Sequence, residues 1–164
     1  MPKKLVSLQE LLLDEMKDLY DAEHRITKAL PKLAKKATSP ELADAFTTHL
    51  KQTEGHIKRL EKAFSLLGEK AKRKTCKAMK GLMEEGEEVL KEPMENHVKD
   101  AALIASAQRV EHYEMAGYGC VRTFASLLGH SDVADLLQQT LDEEGETDHL
   151  LTRIAESTIN PAAA

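Results

Sequence analysis

Apolar residues recur along the chain at alternating steps of three and four, the spacing of one helical face. Leu12, Met16, Leu19, Ile26, Leu30 and Leu33 mark a first helix over about residues 5–37, with Pro31 as a place for a kink. "TSPE" at 38–41 is a turn that supplies Ser39 as N-cap and Pro40 at the first helical position. Phe46, Leu50, Ile57, Leu60 and Phe64 mark a second helix over 40–67, closed by Gly68. A shorter helix over 75–91 carries Met79, Leu82, Met83 and Val89 and ends before Pro93. A fourth, over 95–128, carries Leu103, Ala107, Val110, Gly117, Val121, Phe124 and Leu128, with Gly129 as its stop. The last, over 132–158, takes Ser131 as its cap, and Pro161 ends it before an "AAA" tail. No alternating strand pattern competes.

Short links join the first two long helices and the last two, so each pair reads as an antiparallel hairpin. The stretch from 69 to 94 is long enough to cross from one end of a bundle to the other. Two hairpins joined by one long crossover make an all-α, ferritin-like four-helix bundle, here with one extra short helix in the crossover. The 164 residues are enough for one domain, 1–164, with a proper core.

Polar residues break the apolar faces at a few positions. Glu23 lies on the Leu12–Leu19–Ile26–Leu30 stripe, while Asp14, Asp18, Asp21, Arg25 and Lys28 form a separate polar stripe. On the second helix Thr53, His56 and His49 lie near the apolar side. "RVEHYEMAGYGC" puts Glu111 and Glu114 on the inner side of the fourth helix, and Glu144 and Asp148 share the inner face of the last one. "ETDH" contains an E-x-x-H match at Glu146 and His149, but the periodicity places both on the wet face, so the match is rejected.

Five inward carboxylates and an imidazole are untenable in an apolar core alone, because each unpaired carboxylate costs several kcal/mol or takes up a proton (about 3–5 kcal/mol for a broken buried pair). A pair of metal ions removes that penalty. Di-iron bundles of this type take a Glu from each of two helices and Glu-x-x-His from each of the other two. The second helix here departs from the pattern, with His56 but no carboxylate, and another helix has to supply the missing acid. The expected metal set is Glu23, His56, Glu111, Glu114, Glu144 and Asp148, with His49 a ligand or a group just behind one.

Each has a plainer reading. Glu23 can snorkel or pair with Arg25 or a neighbouring Lys, a small rotation takes Asp148 to the boundary, and helix-face histidines often only hydrogen-bond. His24, His97, His112 and His130 read as solvated. Tyr20, Tyr113 and Tyr118 read as core or boundary residues that can lie near a metal centre.

Composition narrows the function further. A net charge of −5 without a dense Lys/Arg patch argues against nucleic acid, and "EKAKRK" at 69–74 reads as a solvated connection. No run approaches the ~20 apolar residues that cross a bilayer, and "MPKKLVSLQELLLDEMKDLY" lacks a signal-peptide core. The expectation is therefore a cytoplasmic protein without membrane or nucleic-acid partners. Cys76 and Cys120 have no metal or redox spacing, and Cys120 reads as a small core residue. There is no nucleophile arrangement and no phosphate-binding Gly loop.

The segments "DLYDAEHRITKAL", "HLKQTEGHIKRLE", "CKAMKGLMEEG", "DAALIASAQRVEHYE" and "TLDEEGETD" together resemble the YciE/YciF family of bacterial ferritin-like stress proteins over roughly residues 5–158. The stretches 97–118 and 140–148 are the most specific. The resemblance implies a ferritin-like bundle, a homodimer and a di-metal site at Glu23, Glu111, Glu114 and Glu144, with Asp148 next in line. The family pattern also has a His at the position of His49 and often a Gln at that of His56.

The expected function is a non-haem di-metal protein of oxidoreductase type, holding two ions, iron first and manganese or zinc after it. It would react with O2 or peroxide, or oxidise Fe(II). The rival is a structural or interaction bundle with a vestigial or static metal site, its Met79–Leu82–Met83 strip serving a dimer or partner. Iron storage is weaker, because it needs a large hollow assembly.

Overall fold

In the computed structural model, which describes residues 4–164, helix α1 (Leu8–Lys36) starts where Ser7 Oγ accepts the Glu10 N–H at 3.2 Å. The start falls three residues later than the apolar spacing predicts, because Ser7 caps there and leaves Leu5 and Val6 exposed. The helix runs unbroken through Pro31, which sits on the exposed side where water can satisfy the carbonyl it leaves free.

Ser39 caps α2 (Pro40–Leu66) as expected, with Oγ accepting from Leu42 N. Gly68, at φ +72°, and Gly129, at φ +81°, close α2 and α4 (Asn96–Leu127) in Schellman turns. In these, Glu69 N donates to Phe64 O at 2.9 Å and His130 N to Ala125 O at 2.9 Å.

Two helix ends differ from the sequence reading. Ser131 is the first residue of α5 (Ser131–Ile154) and His130 holds the cap position without a capping bond. The Schellman turn already uses His130, so the next helix begins directly after it, and the His130 ring bonds Gln9 instead. At the C-terminus Pro161 does not stop the helical backbone. A π-turn (Ala155–Ile159) leads into α6 (Asn160–Ala163), where Pro161 falls in the first turn and its missing N–H costs nothing.

α1 pairs with α2 and α4 with α5; α2 then packs on α5 and α1 on α4, which closes the four-helix bundle. α1 and α4 approach closely at Gly117, where a Cβ would lie 2.8 Å from Leu19 Cδ2. The crossover is strapped to α1 by Lys74 N to Lys17 O and Cys76 N to Asp21 Oδ2, and α3 (Lys77–Lys91) lies against α1 and α4. Met79 is fully buried, and Leu82 and Met83 are half-buried against the bundle. Cys120, expected in the core, is exposed. Among the described residues no helix is long and apolar enough to cross a membrane.

The core is two apolar clusters. One holds Leu12, Met16, Leu19, Leu60, Phe64, Tyr118, Val121 and Leu137. The other holds Ile26, Leu30, Phe46, Leu103, Val110, Leu151 and Ile154. Along α1, α4 and α5 a band of buried acids falls between the residues of one cluster and those of the other, and α2 adds two buried histidines to it.

Candidate metal centre

The band brings four helices to one place. α1 contributes Glu23, α2 His49 and His56, α4 Glu111 and Glu114, and α5 Glu144, all 2% exposed or less. Their ligand atoms form two groups, each with all atoms within 4.8 Å of one another. His49, Glu111, Glu114 and Glu144 make one, and Glu23, His56 and Glu144 make the other. Glu144 belongs to both. Its Oε2 lies 3.4 Å from His49 Nε2 and its Oε1 lies 3.0 Å from His56 Nδ1, so its two oxygens face the two groups separately.

Each histidine turns one nitrogen inward and ties the other to the protein. His56 Nε2 bonds Glu143 Oε2 at 2.8 Å, leaving Nδ1 facing Glu23 and Glu144. Glu143 is held in turn by both Arg59 amino groups, at 2.9 and 2.6 Å. His49 Nδ1 bonds Gln52 Oε1 at 3.1 Å and meets Thr147 Oγ1 at 3.1 Å, leaving Nε2 facing Glu111 and Glu144. A side chain that anchors the outer nitrogen and frees the inner one is the usual arrangement around a metal-bound histidine. Glu23 is steadied by Tyr118, whose hydroxyl donates to Oε1.

The inner atoms are close but not hydrogen-bonded. Of nine buried side-chain polar atoms without a partner among the described residues, eight belong to these six residues, including both oxygens of Glu114 and of Glu144. Native interiors rarely leave such atoms alone, and eight together are a set that could hold an ion. Electrostatics agrees. Burial, with Glu144 and Glu23 nearby, pushes the Glu114 carboxyl well up. Burial and the Glu111 and Glu23 charges do the same to Glu144. Burial disfavours charge on His49, yet Glu111 beside it raises its pKa; Glu23 and Glu143 do so for His56. Glu111 is held low, its burial outweighed by His49. Burial and mutual repulsion thus favour protonation of Glu114 and Glu144, and the neighbouring acids favour protonation of the two imidazoles.

Four carboxylates and two imidazoles are the same donor set as the di-iron carboxylate bundles, differently distributed. Both imidazoles come from α2, and α4 supplies the carboxylate that α2 lacks. Nitrogen and oxygen donors without thiolate suit iron, manganese or zinc. Neither cysteine belongs to the centre.

Of the expected ligands, Glu23, His56, Glu111, Glu114 and Glu144 converge. His49 stands among them rather than behind them. Asp148 does not join. Its carboxylate takes Gln108 Nε2 at 3.1 Å and His112 Nε2 at 3.2 Å, outside both groups. One turn beyond Glu144, the helix has rotated it toward α4 and the surface. Glu146 and His149 are exposed, as their wet-face placement requires. His97 and His112 are exposed, whereas His24 is half-buried edge-on against Tyr20. Asp21, expected on the polar stripe, is buried under the crossover. Sequence reading passed over Glu143 and Arg59. Glu143 is half-buried, between Thr140 and Thr147, which lie one turn either way and are buried.

Fold and centre together define a ferritin-like four-helix bundle with a buried carboxylate–histidine site able to hold metal. The chain belongs to the DUF892 family, described as a domain of unknown function, which it matches over residues 7–164. It is 43% identical over 158 residues to Protein YciF of Escherichia coli, covering 96% of this chain and 95% of that one. The crystal structure of the E. coli stress protein YciF superposes with a TM-score of 0.92 at 42% identity, over 95% of this chain and 99% of that one. YcfI from Rhodopseudomonas palustris gives 0.90 at 39%, over 93% and 97%. A Xanthomonas campestris protein, 18% identical with a TM-score of 0.72, shares the fold.

Proposed function

We propose that the chain is a non-haem di-metal protein that consumes peroxide or O2, or oxidises Fe(II), as part of a stress response like that in the description of its E. coli relative. The reading rests above all on the eight unpartnered buried ligand atoms of Glu23, His49, His56, Glu111, Glu114 and Glu144. His49, Glu111 and Glu114 would hold one ion, Glu23 and His56 the other, and Glu144 would span both. Bound iron or manganese supplies the redox equivalents and Lewis acidity that this chemistry needs.

The protein residues do the rest. Glu143 accepts the His56 Nε2–H and so keeps the Nδ1 lone pair turned inward. Gln52 Oε1 does the same at His49 Nδ1. Glu114, Glu144, His49 and His56 would give up their protons on binding a metal ion, so loading would depend on pH. A surface cleft of about 340 Å3 is lined in part by Gln52 and Thr147, the two residues against His49.

Elemental mass spectrometry on protein loaded with Fe(II) or Mn(II) tests the reading. The expected result is about two ions per chain in the parent and in Asp148→Asn, and none in Glu144→Ala. Stopped-flow oxidation of Fe(II) by O2 or peroxide follows on the loaded protein. A folded parent that binds no ion, or an Asp148→Asn variant as empty as Glu144→Ala, ends the proposal. The homodimer implied by the family resemblance is checked in the same samples by light scattering.

A further inference from the structure

A second cavity opens on the other side of α4, between α1, α3 and the crossover. Its volume is about 210 Å3, below the roughly 300–1,000 Å3 of sites for drug-sized ligands, so it suits something smaller or thinner. The walls are apolar: Leu33 from α1, Leu82, Met83 and Leu90 from α3, Ala107 and Val110 from α4. The rim is not. Arg25, Lys28, Lys32 and Arg73 all border it, against the single acid Glu87, in a protein whose net charge is −5.

The rim cations are only partly neutralised. Lys32 is paired with Glu87 across the mouth. Arg25 and Arg73 both lean on Asp21, at 2.6 and 2.8 Å, so one carboxylate serves two guanidiniums. Lys28 is exposed and has no hydrogen bond or ion pair among the described residues. Two positive charges are left over beside an apolar slot. Arg25 also borders the neighbouring depression of α3, whose Glu84 lies 3.8 Å from Lys80 and whose Glu88 has Lys91 nearby, so Lys28 is the rim cation farthest from any acid partner.

We propose that this cavity binds an amphipathic monoanion, an alkyl carboxylate of medium chain length. The chain enters between α1 and α3 and the head group meets Lys28 with the spare charge of the Arg25–Arg73 pair. An apolar body excludes water from the walls, and the charged head fixes the orientation, which is the usual division of labour in a small-molecule site. The residues involved are separate from the metal centre, so this binding stands or falls without it.

Calorimetric titration with sodium decanoate below its micelle concentration tests the proposal, beside decanol, decyltrimethylammonium and anionic phospholipid vesicles. Two variants accompany the parent. Lys28→Glu reverses the rim cation that has no partner among the described residues. Gly86→Leu fills the slot, and it should fold, since a Cβ at Gly86 meets nothing within 4 Å and leucine favours helix over glycine. The expected result is saturable binding of decanoate at one site per chain, with decanol weaker and the ammonium absent. Each variant should weaken decanoate by about tenfold or more, the worth of one hydrogen bond to a charged group. Decanol binding as well as decanoate, decanoate binding untouched by Gly86→Leu, or adsorption to vesicles without binding of soluble decanoate each overturn it.

Discussion

Asp21 and Glu114 are both buried acids, one under the crossover and one inside the bundle, and they are opposites. Asp21 is wrapped in donors: Arg25 Nε at 2.6 Å, Arg73 Nε at 2.9 Å and the Cys76 N–H at 2.9 Å. Asp100 is treated the same way by Thr38 and Ser39, which anchor the α1–α2 turn. Glu114 has nothing on either oxygen. The fold evidently can satisfy a buried carboxylate, and does so wherever the acid's task is to hold chain to chain. Around Glu114 the fold supplies no such donor among the described residues.

The sharpest break of this comparison is the sign of a substitution. Asp21→Ala removes the acceptor that joins α1 to the crossover and leaves two guanidiniums facing each other. It should destabilise the protein by about 3–5 kcal/mol in urea unfolding. Glu114→Leu in metal-free protein should do the reverse and stabilise by about 1–4 kcal/mol, because an apolar side chain replaces an unpartnered buried acid. Equal losses in both would mean that Glu114 has a hidden structural partner and the contrast is false.

Next comes the shell behind the ligands. Glu143→Gln keeps the shape but weakens the hold on His56 Nε2. Metal affinity should fall about 10–100-fold, measured by competition with a chelator, with little change in the unfolding of the metal-free protein. Unchanged affinity would remove Glu143 from the centre.

The smaller effects lie in pH. Burial works against the ionised Asp21, but Arg25, the Cys76 N–H and Arg73 outweigh it and hold its carboxyl low. Its stabilisation is therefore present above the unfolded carboxylate range and is lost as pH falls through the lower folded value. Glu114 and Glu144 are shifted up, so the metal-free fold binds protons that the unfolded chain has released, and it loses stability as pH rises through that window. His49 and His56, also raised, add to the same slope. Melting of metal-free protein should thus fall off at both ends of the pH range. Asp21→Asn should flatten the acid limb and Glu114→Gln the limb toward neutral. Loaded protein should show the second limb reversed, since the ligands bind metal only when deprotonated. A loaded and an empty protein with the same profile would contradict the assignment.

Much of this was legible beforehand. A period of 3.6 located the five main helices, and the long crossover implied the pairing of hairpins. The interruption of apolar stripes by Glu23, Glu111, Glu114 and Glu144 pointed to the centre. Asp148 was misplaced because a step of four residues overshoots a full turn, and spacing alone does not say which neighbour fills the gap. Asp21 looked solvated because the cover over it, the crossover bearing Arg73 and Cys76, comes from some 50 residues away in sequence.

What the chain determined by itself is local and repetitive: helix faces, caps at Ser7 and Ser39, left-handed turns at Gly68 and Gly129, and acids where a core wants apolar residues. Those follow from backbone sterics and from the cost of burying charge, and both act within a few residues. Tertiary structure alone decided that the two hairpins meet at equal depth. That brings His49 and His56 of α2 to the carboxylates of three other helices, lets Glu144 face both groups, and keeps every protein donor away from Glu114. Such convergence depends on how helices pack against one another, and packing is settled by interlocking side chains far apart in the sequence.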